Sequence, residues 1–174
     1  MTDFDQRGQR VDHQFNVGNI TIHIHANTPP DIASLLQRSI RSMQMKRYDE
    51  AIKLIDRVLM EDDSLSDAFY YQALIQLHGR RPALLTKSQA DKICQSIEIA
   101  CELNPQEAHY YYLLAWIKHD FYTVNGFLMP GDRIPAFLRS ASRCHIDRPK
   151  CEEMILHAGA ASDSILVKWI DAQL

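Results

Sequence analysis

The sequence contains no apolar run approaching the roughly 20 residues that a membrane-spanning helix requires. Its first residues, MTDFDQRGQR, are polar and lack the apolar segment of a secretory signal peptide. We therefore expect a flexible N-terminus over residues 1–10, a cytoplasmic location and no membrane partner.

An excess of basic residues is also absent. The formal net charge is -3 and the isoelectric point is near 6.2. A chain with this charge has no general attraction for a phosphate backbone. We predict that nucleic acid is not a partner.

The motifs of the common enzyme classes are missing. The chain has no glycine-rich phosphate loop, no HExxH and no GxSxG. Cys144 and His145 are neighbours in the sequence, but adjacent side chains on a helix point about 100° apart and do not form a catalytic dyad. We predict that the protein is not an enzyme and needs no cofactor.

Cysteine is scarce, and no pair of the four cysteines has the CxxC spacing typical of zinc and redox sites. Cys94 and Cys101 lie on one predicted helix, and we interpret them as core thiols. Two sets of residues contain zinc-ligand types: Cys144, His145, Cys151 and His157, and His23 with His25 opposite Asp12. The first set matches no common zinc spacing and the second is typical of a solvated strand face. We favour no metal over zinc at either place.

The N-terminal part of the chain has a period of two. Apolar and polar residues alternate on both sides of Gly18-Asn19, a two-residue hairpin turn. This predicts a β-hairpin over residues 11–26. Its apolar face consists of Val11, Phe15, Val17, Ile20, Ile22 and Ile24. A two-stranded ribbon is marginal in water, so either helices of the same chain or another chain must cover this face. We predict that it mediates self-association or docking to another chain, so a homo-oligomer is one of the two expectations.

From residue 28 onward the period changes to three and four residues. In the segment 47–61, apolar residues recur on one face of a helix and charged residues lie on the other face, which predicts an amphipathic helix. The stripe is formed by Tyr48, Ala51, Ile52, Ile55, Val58 and Leu59. After an acidic run at residues 61–64, a second helix begins near Asp67 with the aromatic residue Phe69 close to its start.

This pattern resembles the tetratricopeptide repeat, in which helical hairpins recur with a period of about 34 residues. The second helix of the repeat is matched by Tyr48, Ala51, Ile55 and Val58. The first helix of the next repeat is matched by Phe69 and Ala73. The match returns from Ala100 to Pro105 and at Tyr111, Leu114 and Ala115. The interval from Ala73 to Ala115 exceeds the usual period, and an insertion at residues 79–85 accounts for the excess.

The resemblance implies a mainly α fold, with antiparallel helical hairpins of a tetratricopeptide-like superhelix over residues 28–174 after the β-hairpin. In that family the first helix of each repeat lines a concave wall that binds a peptide or a helix. Carried over to this sequence, the wall consists of Leu36, Ile40, Tyr70, Leu74, Leu77, His78, Tyr112, Trp116 and His119. This apolar groove is expected to take a peptide, a helix of another protein, or the chain's own hairpin or C-terminal helix. Burial between helix layers is the competing interpretation.

Residues 123–132, TVNGFLMPGD, form a predicted loop, followed by short helices at 134–143, 149–157 and 163–174. Apolar loop residues either fold back on the core or contact a partner. For Phe127, Leu128 and Met129 we favour packing on the core. The last helix has one apolar side, as the cap of a helical repeat array needs.

These features together predict a non-catalytic adaptor or scaffold that binds another protein. The segment QFNVGNITIH resembles short strand-forming segments beside helical adaptor and effector domains of bacterial signalling and defence proteins, which implies that setting. The alternatives are a secretion chaperone with three such repeats and a subunit of an enzyme complex.

Overall fold

The computed structural model describes residues 13–17, 20–24, 30–131 and 133–173, with side chains from residue 31 onward. This part of the chain is mainly helical. Its α-helices are α1 (Pro30–Gln44), α2 (Tyr48–Glu61), α3 (Ser66–Leu77), α4 (Lys87–Leu103), α5 (Ala108–Lys118), α6 (Ile134–Ala141), α7 (Arg148–His157) and α8 (Ile165–Asp171). A 3₁₀ turn at Pro82–Leu84 precedes α4, and a π-helix at His119–Thr123 continues α5. Within the described residues, no helix is both long and apolar enough to cross a membrane.

Helices that follow one another along the chain pack as adjacent pairs. Each of α1 to α5 packs against the next helix, up to α6. This arrangement is compatible with a helical repeat fold, in which each unit buries its apolar face against its neighbour. The last two helices differ, because α7 returns to pack against α3 and α5, and α8 packs against α5 and α7.

The amphipathic stripe predicted for residues 47–61 is confirmed in α2. Ala51, Ile55 and Val58 are fully buried. At Ala51 the two helices of the first hairpin come close together, since the Ser39 hydroxyl of α1 donates a hydrogen bond to the Ala51 carbonyl oxygen at 2.8 Å. Small side chains at both positions make this close approach possible.

The insertion predicted at residues 79–85 contains the 3₁₀ turn and leads into α4 through Thr86. The Thr86 hydroxyl accepts a hydrogen bond from the Gln89 backbone N–H, and the Gln89 side chain accepts one from the Thr86 backbone N–H. This reciprocal capping box satisfies two donors that a helix start otherwise leaves unpaired. The first helix of the third repeat, expected from residue 106 to about residue 122, is shorter in the structure. It is α5, which ends at Lys118, and the π-helix replaces its last turn.

Two short strands precede the helices: β1 (His13–Val17) and β2 (Ile20–Ile24). Their backbones pair antiparallel, with Val17 opposite Ile20 and Phe15 opposite Ile22. Residues 11, 12, 18, 19, 25 and 26 and the side chains of both strands lie outside the described part of the chain. The hairpin as a whole, its apolar face with Val11, and its role in self-association therefore stay predictions.

Candidate functional site

The residues predicted to form the concave wall lie along one side of α1, α3 and α5. Those that are buried are Leu36, Ile40, Tyr70, Leu74, Leu77, Tyr112 and Trp116. His119 is half-buried at the start of the π-helix, and His78 is exposed and stacks on the Tyr48 ring at a centroid distance of 4.8 Å. The wall is thus closed in this structure, and helices of the same chain contribute to closing it.

An ion pair holds α7 against α3. The Lys150 ammonium of α7 lies 3.4 Å from Oδ1 of Asp67, and both side chains are buried. The Tyr110 hydroxyl of α5 donates a hydrogen bond to the same carboxylate oxygen at 2.6 Å. Three helices therefore meet at Asp67, and the buried charge of Lys150 is compensated by its carboxylate.

One turn further along α7, Glu153 continues this polar contact. Its carboxylate accepts a hydrogen bond from the Tyr71 hydroxyl of α3 at 3.0 Å and one from the Gln44 side-chain amide of α1 at 3.2 Å. Burial raises the pKa of Glu153 above its ordinary value, while the two hydrogen bonds and Lys150 act in the opposite direction. Asp67, Lys150 and Glu153 are at most 9% exposed, so we assign this cluster to holding α7 in place.

The C-terminal part of the chain covers α5. The Trp116 indole N–H donates a hydrogen bond to the Ala158 carbonyl oxygen at 3.2 Å, and the Tyr112 hydroxyl donates one to the Gln173 side-chain oxygen at 2.9 Å. The edge of the Trp169 ring meets His119. A partner could reach these wall residues only by displacing α7 and α8, so their role in partner binding stays a prediction.

A different surface is open and apolar. Leu84 of the 3₁₀ turn, Val124 after the π-helix, and Phe127 and Leu128 of the following loop all expose more than half of their surface, and Leu128 is 95% exposed. We call these four residues the insert patch. Beside it is a surface pocket of about 490 Å³, the insert pocket. It is lined by apolar Leu85, Phe121, Phe127 and Leu128 and by polar Thr86, Lys87 and Tyr122.

Polar contacts, several of them partly buried, hold the insert patch in shape. The Asp120 carboxylate of the π-helix, only 1% exposed, forms an ion pair with Arg81 and accepts a hydrogen bond from the Ala83 backbone N–H at 2.9 Å. The Asn125 side-chain amide donates a hydrogen bond to the Ala83 carbonyl oxygen at 3.1 Å. The loop beyond is held at Pro130, whose carbonyl oxygen accepts a hydrogen bond from Lys118 at 3.4 Å. The 3₁₀ turn, π-helix and loop therefore form one connected surface.

The predicted packing of the loop tip on the core is wrong for Phe127 and Leu128 and correct for Met129, which packs against the core. The backbone explains the difference. The Phe127 N–H donates to the Tyr122 carbonyl oxygen at 2.8 Å, and Gly126 has φ +70°. Only glycine adopts this conformation readily, and the turn leaves the next two side chains at the surface. In the sequence, a glycine followed directly by apolar residues in a loop was the feature that could have indicated this exposure.

Two other pockets of the described residues are more polar. One of about 430 Å³ is lined by Lys46, Arg47, Tyr48, Asp49, Glu50 and His78, which include charged groups of both signs. It has no apolar wall comparable to that of the insert pocket.

The cysteines do not form a chemical site in the described structure. All four are free, and burial raises the pKa of Cys94, Cys101 and Cys151 to about 12, which keeps them as unreactive thiols. No group of three or more His, Cys, Asp and Glu side chains within the described residues is arranged to hold a metal ion. Asp12, His25 and the side chain of His23 lie outside these residues.

No protein-family model, curated protein or solved structure matches this chain. The packing of consecutive helices in pairs is compatible with a helical repeat fold.

Proposed function

We propose that the protein is a non-catalytic adaptor or scaffold that binds a peptide or helix of another protein. The sequence around Ala51 and Ala115 resembles the tetratricopeptide repeat pattern. Helical arrays of this kind commonly present surfaces that bind partner proteins. A cytoplasmic bacterial signalling or defence system is the proposed setting.

The observation that carries this proposal is the exposed insert patch. Monomeric soluble proteins rarely expose contiguous apolar patches larger than a few hundred Å², and larger patches with polar rims are typical of interaction sites. Phe127 and Leu128 are held outward by a turn at Gly126, and Asp120 holds the 3₁₀ turn beside them. A surface that is already ordered loses little conformational entropy when a partner binds.

The proposed binding surface differs from the groove expected from the sequence. Tyr70 and Trp116 are buried under the chain's own helices, so replacing them with alanine would remove core packing as well as any partner contact. The insert patch can be changed with a smaller loss of core packing, because Leu128 and Phe127 expose 95% and 55% of their surface.

The test is affinity purification from the native cell with three forms of the full chain. The first is the wild type, and the second carries Phe127→Asp and Leu128→Asp. The third is a matched control with Met60→Asp and Leu156→Asp, two large apolar residues that are 85% and 73% exposed elsewhere on the surface. Quantitative mass spectrometry compares the proteins recovered with each form.

We expect at least one partner to be recovered with the wild type and the control and lost with the patch variant, while circular dichroism shows equal helicity in all three. If every partner is retained by the patch variant, the insert patch is not the binding surface. Loss of the same partners from the control alone would move the site to α2 or α7.

A further inference from the structure

The polar groups that line the insert pocket are not equally available to a ligand. The Thr86 hydroxyl is engaged in the capping box with Gln89. The Tyr122 hydroxyl donates its hydrogen bond to Oδ1 of Asp91. Lys87 is different, because its side chain is 74% exposed and its ammonium donates one hydrogen bond, to Oδ2 of Asp91 at 2.8 Å. An ammonium group has three N–H donors, so Lys87 retains donors for a ligand.

The carboxylate that pairs with Lys87, that of Asp91, is not among the groups that line the pocket. Each of its oxygens already accepts one hydrogen bond, one from Lys87 and the other from Tyr122. Hydrogen bonds from Lys87 and Tyr122 lower the pKa of Asp91, which is consistent with a stabilised anion. A carboxylate brought to the pocket would meet the exposed ammonium of Lys87, whereas an ammonium or guanidinium would have to compete for Asp91.

The remaining walls of the pocket are apolar. Phe121 is buried, and Phe127 and Leu128 extend the wall into solvent, with the Phe121 and Phe127 rings 5.5 Å apart between centroids. A volume of about 490 Å³ is enough for a large side chain. Sites of this size with apolar walls and few polar groups are typical of ligand-binding pockets.

We infer that the insert pocket binds an acidic segment of the partner protein, in which a leucine or aromatic side chain enters the pocket and a neighbouring Asp or Glu pairs with Lys87. This inference rests on the proposed function, since it specifies which chemistry the adaptor recognises at the insert patch. The apolar side chain supplies most of the affinity, and the carboxylate supplies selectivity between segments.

The experiment uses the full-length protein and a library of random peptides displayed on phage. The library is selected on the wild type after removal of peptides that bind the Leu128→Asp variant. Selected sequences are synthesised, and their dissociation constants are measured by fluorescence polarisation. The proteins compared are the wild type, Leu128→Asp, Lys87→Met, Lys87→Glu and a matched control, Lys92→Glu, which reverses an exposed charge on the same helix outside the pocket lining.

We expect the selected peptides to combine Asp or Glu with an adjacent leucine or aromatic residue. Lys87→Met should weaken their binding by about two- to fivefold, as for a partly exposed ion pair, and Lys87→Glu should weaken it further. The wild-type affinity should fall with added salt, and this salt dependence should decrease in Lys87→Met. Lys92→Glu should bind as the wild type does. Circular dichroism verifies that α4 is retained, and the neutral Lys87→Met variant avoids repulsion with Asp91.

Two failures are distinguishable. Peptides that depend on Leu128 but show no preference for acidic residues and no loss in Lys87→Met would overturn the inference and leave the proposed binding surface intact. If no peptide prefers the wild type over Leu128→Asp, the insert patch is not a binding surface and the inference falls with it.

Discussion

At the scale of single residues, an unusual feature is Glu153 of α7, a carboxylate 9% exposed that contacts α1 and α3. Burial disfavours its charged form and raises its pKa, while the hydrogen bonds from Gln44 and Tyr71 favour the charged form and partly offset that rise. The periodicity of the C-terminal segment gave no reason to place this residue inside, because a glutamate is rarely buried without partners. Its partners come from α1 and α3, far away in the sequence.

The raised pKa predicts a defined pH dependence of stability. The folded protein binds a proton at Glu153 more tightly than the unfolded chain does. The stabilisation from this residue is therefore complete below the ordinary glutamate pKa of 4.5 and is lost as the pH rises through the higher pKa of the folded state. We expect Glu153→Gln to become progressively more stable relative to the wild type as the pH is raised above 4.5, measured by urea unfolding at a series of pH values.

The control for this prediction is Glu152→Gln, which changes the exposed neighbour on the same helix. Its unfolding free energy should follow the wild type at every pH, apart from a small constant difference from the exposed pair with Arg148. Parallel curves for wild type and Glu153→Gln would show that Glu153 titrates normally in the folded protein.

At the scale of elements, the connection between α7 and α8 is tied to the insertion. Gly159 has φ +62°, and a Cβ atom there would lie 2.5 Å from the Arg80 carbonyl carbon and 2.7 Å from the Arg81 backbone nitrogen. These are backbone atoms, which cannot move aside as a flexible side chain does. The close approach joins the segment that closes the concave wall to the segment that builds the insert patch.

We expect Gly159→Ala to lower the free energy of unfolding more than Gly126→Ala does. Both residues have positive φ, but a Cβ atom at Gly126 would meet nothing within 4 Å. Gly126→Ala should therefore cost only the backbone strain of about 1–2 kcal/mol. Gly159→Ala should cost a further 1–3 kcal/mol or so from overpacking. Urea unfolding of both variants measures the difference, and equal losses would mean that the connection is not packed against the insertion.

At the scale of the whole molecule, the apolar face predicted for the N-terminal ribbon requires a cover. Phe15 and Ile22 are paired across the two strands. Large apolar side chains contribute about 1.5–3 kcal/mol each when they are buried, which a marginal ribbon does not leave in water. A second chain and the helices of the same chain satisfy this requirement equally well.

We predict that the ribbon mediates self-association. Phe15→Asp with Ile22→Asp in the full-length protein should lower the mass measured by light scattering and leave the helical circular dichroism signal unchanged. The control is Gln14→Asp with His23→Asp, the neighbouring cross-strand pair on the predicted polar face, which should keep the wild-type mass. Loss of helical signal in the Phe15 and Ile22 variant would instead place the ribbon in the core of its own chain.

The positions of the helices were largely determined by the sequence alone. The stripe around Ala51 and the cap at Thr86 involve residues within a few turns of each other, and spacing records such local relations directly. Tertiary structure alone decided which apolar surfaces are covered. Lys150 meets Asp67 from 83 residues away, and α7 thereby helps to close the wall, for which the repeat pattern had left both a partner and the chain's own segments open as occupants. Phe127 and Leu128 were left outside for the converse reason, because no distant segment of the described part of the chain packs over them. The spacing of residues carries no information about which distant segments meet.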